Sequence, residues 1–153
     1  MQMSATAPHL EINLPDLAAT RALAARIVPL LRQGDVLTLS GDLGAGKTEF
    51  ARALLRALGV IDDIPSPTFT LVQTYETKNF SVSHFDLYRL KSSDELDELG
   101  WNDALADGAV VVEWPERAGA RLPADRLELH FALMPDGVRR CAFKPCGNWS
   151  GRF

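Results

Sequence analysis

DVLTLSGDLGAGKTEFARALLRALG, residues 35 to 59, carries three signals in succession. DVLTLS (35–40) is a mostly apolar run of strand length, the pattern of a strand buried on both faces. GDLGAGKT (41–48) has the spacing G-x-x-x-x-G-K-[ST] of a phosphate-binding loop. Phe50, Ala53, Leu54, Ala57 and Leu58 then recur on one helix face, and Gly59 stands where that helix should stop. Strand, glycine loop and helix come in the order such a loop requires. Glycines let successive backbone N–H groups turn inward at a helix N-terminus, where anions are favoured. Gly41, Leu43, Gly44, Ala45 and Gly46 are therefore candidate phosphate-cradle residues. Lys47 is placed to reach the β- and γ-phosphates, and the Thr48 hydroxyl to join a Mg²⁺ shell. A chance pattern in a glycine-containing turn is the plain alternative, and the flanking strand and helix weigh against it.

A Mg·nucleotide site needs a second acid at the end of a neighbouring strand. VVVEWPE supplies Glu113 directly after the buried run 109–112, which in a parallel sheet lies at the carboxyl edge where ligands bind. Trp114 and Pro115 end that strand, and Trp114 either covers the nucleotide or packs beneath the loop. HFDLYRL (84–90) puts His84, Asp86 and Tyr88 at strand period. Asp86 is a candidate to orient the attacking water, act as a base or bind Mg²⁺ through water, with a salt bridge to Arg89 or a helix cap as its plain alternative. His84 alone reads as structural. SPTFT (66–70), constrained by Pro65 and Pro67, places Thr68 where nucleotide-sensing switch loops occur.

Around these blocks, LEINL (10–14) reads as a short strand. Asp16 caps a helix with Leu23, Ile27, Leu30 and Leu31 on its apolar face, shortened by Pro29. FTLVQTYE (69–76) and FSVSHF (80–85) predict a hairpin around Thr77-Lys78-Asn79. SSDELDELGWNDALA predicts one helix with acids in its first turn. RLELHFAL (126–133) and VRRCAFK (138–144) predict a closing hairpin. The whole describes one α/β domain over 1–153, a P-loop NTPase-like three-layer sandwich. Its central sheet is mostly parallel, with antiparallel hairpin additions, and 1–9 and 147–153 are expected to be flexible tails.

Composition limits the function. With 153 residues, 46% hydrophobic and 24% charged, the chain is ordinary for a globular domain, and a net charge of −4 gives no global field for nucleic acid. Arg139, Arg140 and Lys144 form only a small basic cluster. Cys141 and Cys146 are too few for a zinc site and read as reduced thiols. No segment resembles a signal peptide or a membrane span, so a cytoplasmic protein is expected. No N-K-x-D stretch is present to read guanine, which favours ATP. A small-molecule kinase or a non-catalytic nucleotide-binding module are the competing classes.

GDLGAGKT, SPTFTLVQTY, HFDLYRL and VVVEWPER, in this order and at these spacings, resemble the bacterial TsaE (YjeE) family, from about Leu14 to Phe143. The resemblance implies a P-loop ATPase, hydrolysing ATP weakly alone, that is required for the threonylcarbamoyladenosine (t6A37) modification of tRNA. It implies that this subunit docks on a TsaB–TsaD pair and resets it between cycles, with any tRNA contact indirect. By the same resemblance Lys47 and Thr48 contact phosphates and Mg²⁺, and Glu113 is the second Mg²⁺-associated acid. Asp86 is associated with ATPase activity, Thr68 is a switch-loop threonine, and Trp114 is an aromatic next to the site. An arginine of the C-terminal hairpin contacts the nucleotide, either Arg139 or Arg140. Glu49 replaces a small hydroxyl residue, points along the helix and changes little.

Overall fold

In a computed structural model, which describes residues 10–152, DVLTLS forms the middle of a seven-stranded sheet. The strands are β1 (Leu10–Leu14), β2 (Val36–Ser40), β3 (Val72–Glu76), β4 (Ser81–Asp86), β5 (Gly108–Glu113), β6 (Arg126–Leu133) and β7 (Arg139–Cys146). Their order is β1-β7-β6-β2-β5-β4-β3. The four central strands β6, β2, β5 and β4 run parallel, and antiparallel pairing adds β7 and β1 at one end and β3 at the other. The expected mostly parallel sheet with hairpin additions is the fold observed.

The buried runs of β2 and β5 follow from helices on both faces. α1 (Leu17–Ile27) and α2 (Lys47–Ala57) cover one face, and α3 (Glu95–Glu98) with α4 (Trp101–Asp107) lie on the other. Alternate residues of each strand feed the two cores: Leu37, Leu39 and Val111 join Phe50 and Leu54, while Val36, Val110 and Val112 join Phe85 and Trp101. Phe50 packs on Phe131 with ring centroids 5.6 Å apart, and Phe85 on Trp101 at 5.0 Å. α1 begins at Asp16, whose carboxylate accepts from the Ala19 N–H at 2.9 Å. It passes at Val28–Leu30 into a 3₁₀ turn that contains Pro29.

Three expectations need correction. The strand expected from Phe69 starts at Val72, because residues 67–71 close a turn in which the Leu71 N–H donates to the Pro67 carbonyl at 2.7 Å. Leu71 itself has a left-handed φ of 68°. The single helix expected over 92–106 is two, broken at Gly100, whose φ of 78° ends one and starts the next so that Trp101 turns inward. The expected C-terminal tail is packed over its described part: Gly147–Trp149 forms a 3₁₀ turn, and Trp149 is wholly buried. Residues 1–9, the other expected tail, and Phe153 lie outside the described residues.

Candidate nucleotide site

The loop after β2 rises at the carboxyl edge of the sheet. Gly41 has φ 130°, and a side chain there would place its Cβ 2.2 Å from the Phe131 carbonyl oxygen, so only glycine lets the loop leave the sheet against β6. Gly46 has φ 112° and precedes α2, whose N-terminal N–H groups face the loop. Between them lies a cavity of about 240 Å³. Its lining includes Leu43, Gly44, Gly46, Lys47 and Thr48 of the loop and helix, Thr68, and Asp86 and Glu113 from two strands. Trp114, Arg139 and Glu49 complete the rim. Gly41 and Ala45, also candidates, do not line it, and Ala45 is buried against the core.

Asp86 and Glu113 end adjacent parallel strands and stand directly opposite one another in the β4–β5 register. The Thr48 hydroxyl lies 3.1 and 3.3 Å from the two Glu113 carboxylate oxygens. These hard oxygen donors line one cavity and are of the kind that suits Mg²⁺, which prefers carboxylate, hydroxyl and water ligands. Behind Glu113, His84 Nε2 lies 2.7 Å from Oε2, and both side chains are buried. Asp86 has neither of the plain roles considered for it. One of its oxygens accepts from the Tyr88 N–H at 3.0 Å and the other from the Thr68 hydroxyl at 3.3 Å. Thr68 in turn pairs with Ser66 at 2.7 Å, so the SPTFT loop is tied to the end of β4. Arg89 instead lies over the ring of Phe69, at 4.8 Å.

Lys47 is not in solvent, as a side chain projecting from a loop would be. It is 5% exposed and folds back over the loop. Its ammonium donates to the Gly41 carbonyl, lies 3.5 Å from that of Asp42, and sits 3.8 Å from the Trp114 ring centroid. Burial pushes its pKa below the ordinary lysine value, against the pull of Glu113, Asp86, Glu116 and Asp42. Trp114 is held in a left-handed conformation, φ 57°, that aims its ring at the lysine, and Tyr88 packs on its side at 4.9 Å. Tyr88 has left the strand period and reaches the site through the turn after β4.

The two arginines of the hairpin go to different places. Arg139 lines the cavity and donates to the Gly44 carbonyl at 3.3 Å, whereas Arg140 donates to Asn13 of β1 at 3.2 Å. Glu49 does more than point along the helix: it lines the rim and pairs with Arg52 at 3.2 Å. Sequence reading missed Tyr88 and Glu49 as site residues, and only their closeness to Asp86 and Thr48 in the chain marks them.

A glycine-rich loop on a helix N-terminus, two strand-end acids and a lysine at the carboxyl edge of a mostly parallel sheet define a P-loop NTPase-like protein. Residues 14–141 match the family described as threonylcarbamoyl adenosine biosynthesis protein TsaE. A tRNA threonylcarbamoyladenosine biosynthesis protein TsaE of Rickettsia felis is 40% identical over 124 residues, covering 80% of this chain and 72% of that protein. The Bacillus subtilis protein of the same name is 36% identical over 130 residues, covering 84% and 81%. The crystal structure of Bacillus subtilis YdiB superposes with a TM-score of 0.79 at 30% identity, over 97% of this chain and 93% of that one. The chain belongs to the TsaE family of tRNA threonylcarbamoyladenosine biosynthesis. Among the described residues, no helix is long and apolar enough to cross a membrane.

Proposed function

We propose that this chain binds ATP with Mg²⁺ in the cavity above α2 and hydrolyses it slowly, to reset a TsaB–TsaD pair that carries out t6A37 modification of tRNA. The observation that carries this reading is the convergence of Lys47, Thr48, Asp86 and Glu113, from one helix and two strand ends, on a single cavity. In the proposal, Lys47 exchanges the Gly41 and Asp42 carbonyls for the β- and γ-phosphates, and the loop N–H groups cradle the same oxygens. Thr48 and Glu113 hold the Mg²⁺, which when bound neutralises charge on the phosphate chain. Asp86, kept in place by Thr68 and the Tyr88 N–H, orients the attacking water and takes its proton. Arg139 steadies the nucleotide from the hairpin side, and the Trp114 ring closes the cavity over Lys47.

The Thr68–Asp86 contact is the proposed switch. With ATP bound, Thr68 turns toward the γ-phosphate and orders the SPTFT loop into a contact surface, and hydrolysis releases it. Phe69 is 81% exposed on that loop, an apolar group for the partner pair to cover. The work takes place in the cytoplasm, with tRNA contacted through the partners. Co-purification with TsaB and TsaD in ATP, ADP and no nucleotide, followed by an ATPase assay of each mixture, tests the reading. Nucleotide-dependent association and partner-stimulated turnover are expected. Equal turnover with and without partners removes the partner step. Stimulation by a metabolite instead points to a kinase.

A further inference from the structure

We propose that His84 is a positioning residue that aims the Glu113 carboxylate at the metal, so that removing its donor weakens the Mg²⁺-dependent part of ATP affinity and leaves the rest. The inference rests on the nucleotide reading above and adds a residue to it. His84 and Glu113 are only 1% and 3% exposed at their side chains, with Nε2 and Oε2 2.7 Å apart. The other ring nitrogen, Nδ1, is buried and has no hydrogen-bond partner among the described residues. A carboxylate only accepts, so the ring proton belongs on Nε2; the other tautomer would bury an unpaired N–H and face a lone pair toward a carboxylate. A polar ring buried with one nitrogen unsatisfied is costly where packing alone is needed. Here its one bond goes to the acid that also meets Thr48.

Glu113 is therefore held from two sides, by Thr48 at the cavity and by His84 behind it. The last torsion of a glutamate is broad, so without the rear bond the carboxylate can rotate. A partner behind a ligand fixes its orientation, and losing one typically weakens metal affinity about 10–100-fold. The same bond leaves Oε1 untouched by His84 and turned to the Thr48 hydroxyl, 3.1 Å away on the cavity side.

The test is isothermal titration of ATP onto the full chain, in Mg²⁺ and in EDTA. The variants are His84→Gln, whose amide nitrogen can reach the Nε2 position, and His84→Asn and His84→Leu, which leave that position without a donor. The readout is the ratio of the two affinities within each protein, which does not depend on turnover. Wild type and His84→Gln are expected to show the same Mg²⁺ gain. The two donor-less variants should lose about tenfold of it or more, with EDTA affinity unchanged. His84→Leu fills the buried space and carries the test if His84→Asn is poorly folded. The proposal is overturned if the donor-less variants keep the gain, or lose the same factor in both buffers, as a packing defect would. Wild type binding ATP equally well in both buffers overturns this inference alone, whereas wild type failing to bind ATP overturns the nucleotide reading with it.

Discussion

The two ends of β2 each bury a cation against a tryptophan, and they treat it differently. At the amino end, Arg152 lies 3.8 Å from the Trp149 ring centroid and donates to both oxygens of Asp35 at 2.8 Å, with a further bond to the Leu30 carbonyl at 2.7 Å. At the carboxyl end, Lys47 lies the same 3.8 Å from Trp114 but, among the described residues, donates to the Gly41 and Asp42 carbonyls alone. The arginine's charge is matched by a carboxylate in bidentate contact, while the lysine makes no ion pair among the described residues. A buried charge matched on the spot serves the fold. One held by backbone carbonyls is a charge that, on the proposed function, phosphate oxygens would satisfy instead, with a gain in attraction.

The largest effect that separates the two ends is on stability. Removing one partner of a buried ion pair leaves the other desolvated and typically costs about 3–5 kcal/mol. Arg152→Ala should lose about that much in denaturant unfolding, with ATP affinity unchanged in whatever fraction remains folded. Replacing both partners, as Arg152→Met with Asp35→Leu, should recover most of the loss, since apolar substitutes for buried ion pairs are often neutral. A loss under about 1 kcal/mol for Arg152→Ala would make the C-terminal turn an ornament of the fold and erase the contrast.

Next comes binding at the other end. Lys47→Ala should weaken ATP binding by about 100-fold, the value of one or two charge-assisted phosphate bonds at about 1.5–3 kcal/mol each. Without nucleotide its melting midpoint should move by less than about 4 °C, the shift expected of roughly 1 kcal/mol in a chain of this size. Calorimetry measures both. A large fall in melting temperature with little change in affinity would reverse the assignment, making Lys47 the structural cation.

The carboxyl end of β2 was the more legible in sequence. The pattern of a phosphate-binding loop is encoded within eight residues, and a strand before it and a helix after it are read by local periodicity. The strand-end acids Asp86 and Glu113 were legible for the same reason, because the end of a buried apolar run in a parallel sheet is a place in space. The amino end was hidden. Arg152 meets Asp35 across 117 residues, and CGNWSGRF reads as a tail until Trp149 finds its core. The break at Gly100 escaped because the acids before it and the apolar residues after it share a helical pattern, which the left-handed glycine overrides. His84 was legible as a position but not as a partner, since only strand pairing brings it beside Glu113.

Strand pairing also decides the third effect. Leu14 faces Arg139 and Asn13 faces Arg140 across β1 and β7, and alternation sends the two guanidiniums apart, one to the loop and one to Asn13. Arg139→Ala should weaken ATP binding about tenfold, on the scale of one charge-assisted bond, while Arg140→Ala should leave it unchanged. Equal effects from both would mean that the hairpin shifts register on binding, or that the basic cluster acts only through its summed charge.

The smallest effect is a pH dependence expected of Lys47 because it is buried without a matched acid. Burial lowers its pKa, with Glu113, Asp86, Glu116 and Asp42 opposing. Within the window between that lowered value and the ordinary 10.5, the unfolded chain holds more protons than the folded one, so this residue's contribution makes stability rise with pH there. Phosphates favour the ammonium form, so a bound nucleotide should draw the pKa back up. ATP binding in the same alkaline window should then take up protons, and affinity should fall by a few-fold as pH rises through it. Titrations in buffers of different ionisation enthalpy read the proton count directly. Lys47→Arg, whose guanidinium stays charged throughout, should bind without proton uptake from this site. Uptake that persisted unchanged in Lys47→Arg would assign the proton to another group, and the lysine would then be as settled in its pocket as Arg152 is in its own.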